Sequence, residues 1–113
     1  MRILVRKEEF AVIKAKKPIK GAFANIIDKK EITSIVNQNN LDKKNIIKLD
    51  KDYKIITFDA ILDFNLVGFI AKVSKVLAKE KIPLFVVSGY STDHILIKKK
   101  YLKKAIEKLE KLK

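Results

Sequence analysis

A chain of 113 residues, 48% of them apolar, suits one packed domain or two very small units sharing a core. No apolar run approaches the ~18 residues of a membrane span, and the absence of cysteine excludes disulfides and thiolate metal sites. The formal net charge of +13 is carried by lysine, with Arg2 and Arg6 the only arginines, and it is spread along the chain. Arginine is the residue favoured for bidentate phosphate and base contacts, so its scarcity argues against a specific nucleic-acid binder while leaving nonspecific adhesion at low salt.

The first nine residues break into charge after Ile3-Leu4-Val5, too short for a signal-peptide core. An intact, soluble, cytoplasmic protein with no membrane association is therefore expected. Residues 10–14 (Phe10-Ala11-Val12-Ile13-Lys14) and 22–27 read as strands, separated by a connection marked by Pro18 and Gly21. Asp28-Lys29-Lys30 reads as a tight turn and 31–36 as its return strand, with the polar segment 37–44 a connection. No long helix is expected in this half.

The second half is plainer. Residues 53–62 are β-branched and aromatic and read as a strand, ending at Asp63-Phe64-Asn65, where Asp63 or Asn65 suits a helix cap. From Leu66 to Lys79, Phe69, Ile70, Val73, Val76 and Leu77 recur at helical spacing, with Lys72, Lys75 and Lys79 off that stripe. Lys81-Ile82-Pro83 stops the helix, and 84–87 reads as a short buried strand. Six small or polar residues follow, Ser88-Gly89-Tyr90-Ser91-Thr92-Asp93, before a strand over 95–97 and a last helix from about Tyr101, with Leu102, Ala105, Ile106, Leu109 and Leu112 on one face. The order strand, helix, strand, strand, helix lacks one strand of the split βαβ plan, an α+β antiparallel sheet with two helices on one face.

These elements, with Leu62-Asp63-Phe64, Leu66 and Gly68 at the helix start, Leu77-Ala78-Lys79-Glu80-Lys81-Ile82 at its end, and the turn from Ser88 to Asp93 running into His94-Ile95-Leu96-Ile97, resemble the ACT domain. The resemblance is to small two-unit ACT proteins related to aspartate kinase regulatory domains and cytosolic arginine sensors. It implies a ferredoxin-like βαββαβ fold over 53–113 and a reduced ACT-like half over 1–52, packed as one compact unit. Two positions depart from the family pattern: Gly89 stands where a threonine is usual, and His94 replaces an aromatic residue.

The resemblance further implies a non-catalytic regulatory module that binds an amino acid or similar small metabolite, requires no cofactor, and forms a homodimer. A helix start offers free N–H groups and partial positive charge to a carboxylate, here Asn65, Leu66, Val67 and Gly68. Asp63 and Asp93 are candidates for the ammonium, and Ser88, Ser91 and Thr92 for hydroxyl contacts. Because the family's ligand lies between two units, Ser34, Ile35 and Val36 of the first half join the candidate site. Several of these residues also have a plainer role: Asp63 and Asn65 as caps, Asp93 bonding its own turn, and Gly68 permitting close packing, while the lone His94 suits a packed or surface position. An enzyme is not expected, since no nucleophile–base arrangement, phosphate-binding glycine loop or metal-ligand spacing is present. Two other readings stand beside this one, a basic nucleic-acid-binding α+β domain and a ligand-free dimerisation module. The first lacks a stacking platform, because Tyr53 and Phe58 have opposite parity on one strand.

Overall fold

The computed structural model describes residues 2–59 and 68–112, and they divide into two units, 7–53 and a second that joins 2–6 to 54–59 and 68–112. The elements in chain order are β1 (Arg2–Val5), β2 (Phe10–Ala15), β3 (Ala24–Ile27), β4 (Ile32–Asn37), β5 (Ile46–Asp59), α1 (Phe69–Lys79), β6 (Phe85–Ser88), β7 (Asp93–Lys98) and α2 (Leu102–Leu109). Three-residue 3-10 turns, Lys43–Asn45 and Lys99–Tyr101, precede β5 and α2. Strand β5 is long enough to serve both units, residues 46–53 in the first and 54–59 in the second.

In the second unit the strand order is β1-β5-β7-β6, with β5 antiparallel to β1 and β7 antiparallel to β6. The strand that the sequence plan lacked is the N-terminal segment, Arg2 lying opposite Asp59 and Val5 opposite Ile56. Alternation along the strands sends Ile56 and Phe58 of β5 and Ile95 and Ile97 of β7 to one face. There they meet Val73 and Leu77 of α1 and Ala105 and Leu109 of α2 in a closed core, and the Phe58 and Phe69 rings cross edge-to-face at 5.0 Å. Both helices therefore cover one face of the sheet, as an ACT-type ferredoxin-like fold requires. The opposite face of these strands carries Leu4, Thr57, Val87, His94 and Leu96.

Helix α1 ends as its sequence dictates, with one exception. The Ile82 and Lys81 amides donate to the carbonyls of Leu77 and Ala78, and Ile82 is buried in the core, closing a Schellman-type end. The residue that takes the left-handed conformation there is Lys81, φ 58°, where glycine is the usual occupant.

In the first unit the order is β3-β4-β2-β5, antiparallel throughout, with no helix longer than the 3-10 turn. Ala11, Ile13, Ala15 and Val36 form its buried centre, and the Phe10 and Phe23 rings meet edge-on at 5.9 Å. The β2–β5 register shifts between Phe10 and Val12, so that Phe10 opposes Tyr53 while Val12 opposes Asp50. This bulge is where Asp52 adopts a left-handed φ of 69°, a conformation that aspartate tolerates better than most residues. Gln38 clamps it from both sides: its carbonyl accepts from the Asp52 amide at 2.6 Å, and its Nε2 donates to the Asp52 carboxylate at 2.9 Å.

Beside the bulge, the buried Tyr53 hydroxyl donates to Asp50 Oδ2 at 2.6 Å. Burial, and then the Asp50 hydrogen bond and negative charge, hold the phenol well above the ordinary tyrosine range. A folded pKa raised above the unfolded one contributes stability that is complete below about pH 10 and is lost as pH rises further. Spectrophotometric titration is thus expected to show one tyrosine ionising late and together with unfolding, and Tyr53→Phe should flatten the alkaline fall in stability. At the end of α1, Lys81→Gly should raise stability by about 1 kcal/mol in urea denaturation, by relieving the left-handed strain of a residue with a Cβ.

Candidate functional site

The candidate residues fall into three groups. Asp63, Asn65, Leu66 and Val67 lie outside the described residues. Gly68 opens α1 with φ 84° and ψ 5°, and its carbonyl accepts from the Lys72 amide at 3.0 Å. A Cβ at Gly68 would meet no described atom within 4 Å. The left-handed backbone there favours glycine over residues with a Cβ.

Ser88, Ser91, Thr92 and Asp93 form the hairpin between β6 and β7, with Ser88 paired opposite Asp93 and the Gly89 amide donating to the Thr92 carbonyl at 2.7 Å. Ser88 and Ser91 are exposed, Thr92 and Asp93 half-buried, and Tyr90 stands fully in solvent. The Gly89–Thr92 bond closes the turn, with Tyr90 and Ser91 between its two partners.

Ser34, Ile35 and Val36 belong to β4 of the first unit, and all three are buried. Ser34 Oγ donates to Asn25 Oδ1 at 2.5 Å, and the same amide side chain holds the Ile19 backbone on both its N–H (2.9 Å) and its carbonyl (3.0 Å). Within its unit the Ser34 hydroxyl fixes the loop between β2 and β3.

Gly89 and His94 are neighbours. A Cβ at Gly89 would lie 3.3 Å from the Thr92 carbonyl, 3.5 Å from its hydroxyl and 3.9 Å from His94 Nε2. His94 Nε2 in turn sits 3.1 Å from Thr92 Oγ1, and His94 Nδ1 sits 2.8 Å from Thr57 Oγ1 on β5. The imidazole is thus held on both nitrogens, by a threonine of the turn and a threonine of the central strand. Burial chiefly, and then the positive charge of Arg6, hold its pKa below the ordinary histidine value, with Asp93 opposing in part. Neutral imidazole is the form present near neutrality. Thr57 was not legible as a site residue. It stands 37 positions from His94, and only the β5–β7 neighbourhood brings the two together.

Comparison with known proteins bears on the family and the fold. A model of the ACT domain matches residues 48–111, more than half of the chain. Among solved structures, the chain is similar to a protein from Agrobacterium tumefaciens, at a TM-score of 0.79 and 19% identity over 91% of this chain and 81% of that one. It is similar to a protein from Vibrio cholerae, at a TM-score of 0.79 and 18% identity over 95% and 85%. It is also similar to the ligand-free regulatory subunit of aspartate kinase from Thermus thermophilus, at a TM-score of 0.72 and 9% identity over 96% and 93%. No match was found among curated proteins. The match to the family model, with two helices on one face of a β1-β5-β7-β6 sheet, shows that this chain belongs to the ACT domain family.

Proposed function

We propose that this protein is a regulatory module that binds an amino acid or similar small metabolite, without catalysis of its own, and works in the cytoplasm as a homodimer. The observation that carries the reading is the β6–β7 turn. It gathers Ser88, Ser91, Thr92 and Asp93 at one end of the sheet of an ACT-type unit, with Thr92 anchored through His94. A turn fixed in this way presents its hydroxyls and carboxylate in a set geometry, which is what a small polar ligand needs from a site. Gly68 supports the same reading. Its left-handed conformation sets the direction in which α1 begins, and the first free amides of α1 suit a ligand carboxylate. The similarity to an aspartate kinase regulatory subunit supports a regulatory role, and the ligand here is inferred from the chemistry of the turn.

The lysine-rich composition raises the nucleic-acid reading again, but the aromatics of β5 do not serve it. Phe58 is buried against the helices of one unit and Tyr53 is buried in the other, so neither is displayed for base stacking. Among the described residues, no helix is long and apolar enough to cross a membrane.

A thermal-shift screen against the twenty amino acids and common nucleotides, at two salt concentrations, tests the proposal. A ligand at about 100 times its dissociation constant adds about 2.7 kcal/mol, which is readily visible. The expected result is a salt-resistant shift with one or a few amino acids; shifts from polyanions alone, fading with salt, would sink it. Asp93→Ala should weaken the binding found in that screen while changing stability by less than about 1 kcal/mol, as a half-exposed turn position allows. Calorimetric unfolding of the variant separates the two effects, and a large loss of stability would make Asp93 a structural residue.

A further inference from the structure

His94 touches two hydroxyls, and the proton count of that contact has a direction. Neutral imidazole has one N–H and one bare nitrogen, whereas each threonine hydroxyl can donate once and accept at its oxygen. One threonine must therefore donate to the ring and the other accept from it. The choice is set by burial. Thr57 is buried within the sheet, its hydroxyl meets His94 Nδ1 at 2.8 Å, and no buried side-chain donor or acceptor among the described residues is left without a partner. A buried O–H with nothing to donate to costs more than an unused lone pair, so Thr57 gives its proton to Nδ1. His94 then carries its own proton on Nε2 and donates it to Thr92 Oγ1 at 3.1 Å. Thr92, already accepting, keeps an O–H for which no acceptor appears among the described residues, at a half-buried position of the turn.

We infer that Thr57, His94 and Thr92 form a polarised hydrogen-bond relay that presents the Thr92 hydroxyl as a donor to a ligand carboxylate, with His94 as the positioning residue. Each link feeds the next, and hydrogen bonds in series strengthen one another in a partly buried setting. The relay requires the neutral ring that burial and the Arg6 charge favour. A second proton on His94 would make Nδ1 a donor, and the buried Thr57 proton would lose its acceptor. With glycine at 89, no side chain competes for the space beside Thr92 Oγ1 and His94 Nε2. The tautomer stands on the two hydrogen bonds and the burial of Thr57, while the role of Thr92 toward a ligand rests on the reading of this turn as a binding site.

Because the chain has a single histidine, its ring nitrogens can be read without assignment ambiguity by nitrogen-15 NMR of the intact protein. The expected result at neutral pH is the Nε2–H tautomer, and Thr57→Val should shift the ring to a mixture of tautomers. Sodium acetate then serves as the carboxylate probe, with sodium chloride at equal ionic strength as the control. Acetate should perturb the Gly89 and Thr92 amides saturably in the native protein. In Thr92→Val and Thr57→Val the acetate affinity should fall about fivefold, the loss expected for one hydrogen bond. An Nδ1–H ring in the native protein, a tautomer unmoved by Thr57→Val, or an undiminished acetate response in Thr92→Val would each overturn the relay. Silence from the amino-acid screen beside an Nε2–H ring and a Thr92-dependent acetate response would sink the amino-acid reading and support the relay. A positive amino-acid screen beside an Nδ1–H ring would do the reverse.

Discussion

Strand β5 is hydrogen-bonded on both of its edges in the second unit, by β1 and by β7, and the rest of that unit follows from this. An interior strand can be apolar on both faces, because neither its backbone nor its side chains must meet water. Ile56 and Phe58 are thereby free to anchor the helices, while Ile55 and Thr57 point the other way. The same pairing sets the neighbour of Thr57, and so decides what the one histidine of the chain touches. A register slip of one residue would invert both faces at once, putting Thr57 among the helices and Phe58 beside His94. The core and the hydrogen-bonded turn are in this sense consequences of a single alignment.

That dependence marks where the sequence was legible and where it was not. The helix α1 stripe of Phe69, Val73 and Leu77 announces itself, since a period near 3.6 needs only local spacing. The strands of the first unit were visible for a similar reason, being short runs such as Phe10-Ala11-Val12-Ile13 between turn residues. Two strand segments carry no such local signal. Strand β1 offers only Ile3-Leu4-Val5 between charges, and its role comes from a partner more than fifty residues away. The first part of β5 carries Lys48, Asp50, Lys51 and Asp52, a composition that reads as loop. It is extended because β2 pairs with it and Gln38 braces its bulge, which are tertiary effects that override propensity.

The site divides in the same manner. The turn from Ser88 to Asp93 stood out because hydroxyls, a glycine and a carboxylate cluster in sequence. What sequence could not show is that a Cβ at Gly89 would lie within 4 Å of His94. Nor could it show Thr57, an ordinary strand residue by composition, completing the hydrogen bonding of the His94 ring. Local chemistry can be read along the chain. Chemistry shared between strands needs the register.

The N-terminal strand has a consequence for how the protein assembles. Because β1 pairs with the end of β5, the whole of the first unit is spliced into a connection of the second. Closing a flexible loop of about fifty residues costs roughly 3–4 kcal/mol of chain entropy before any contact rewards it. The first unit, however, brings its own ends together, since Phe10 pairs with Tyr53. Once it has folded, the segments that must find each other to form the β1–β5 ladder are tethered a few residues apart. An insertion that would seem to separate two strands instead acts as a clasp that shortens the search, turning a pairing of high contact order into a nearly local one.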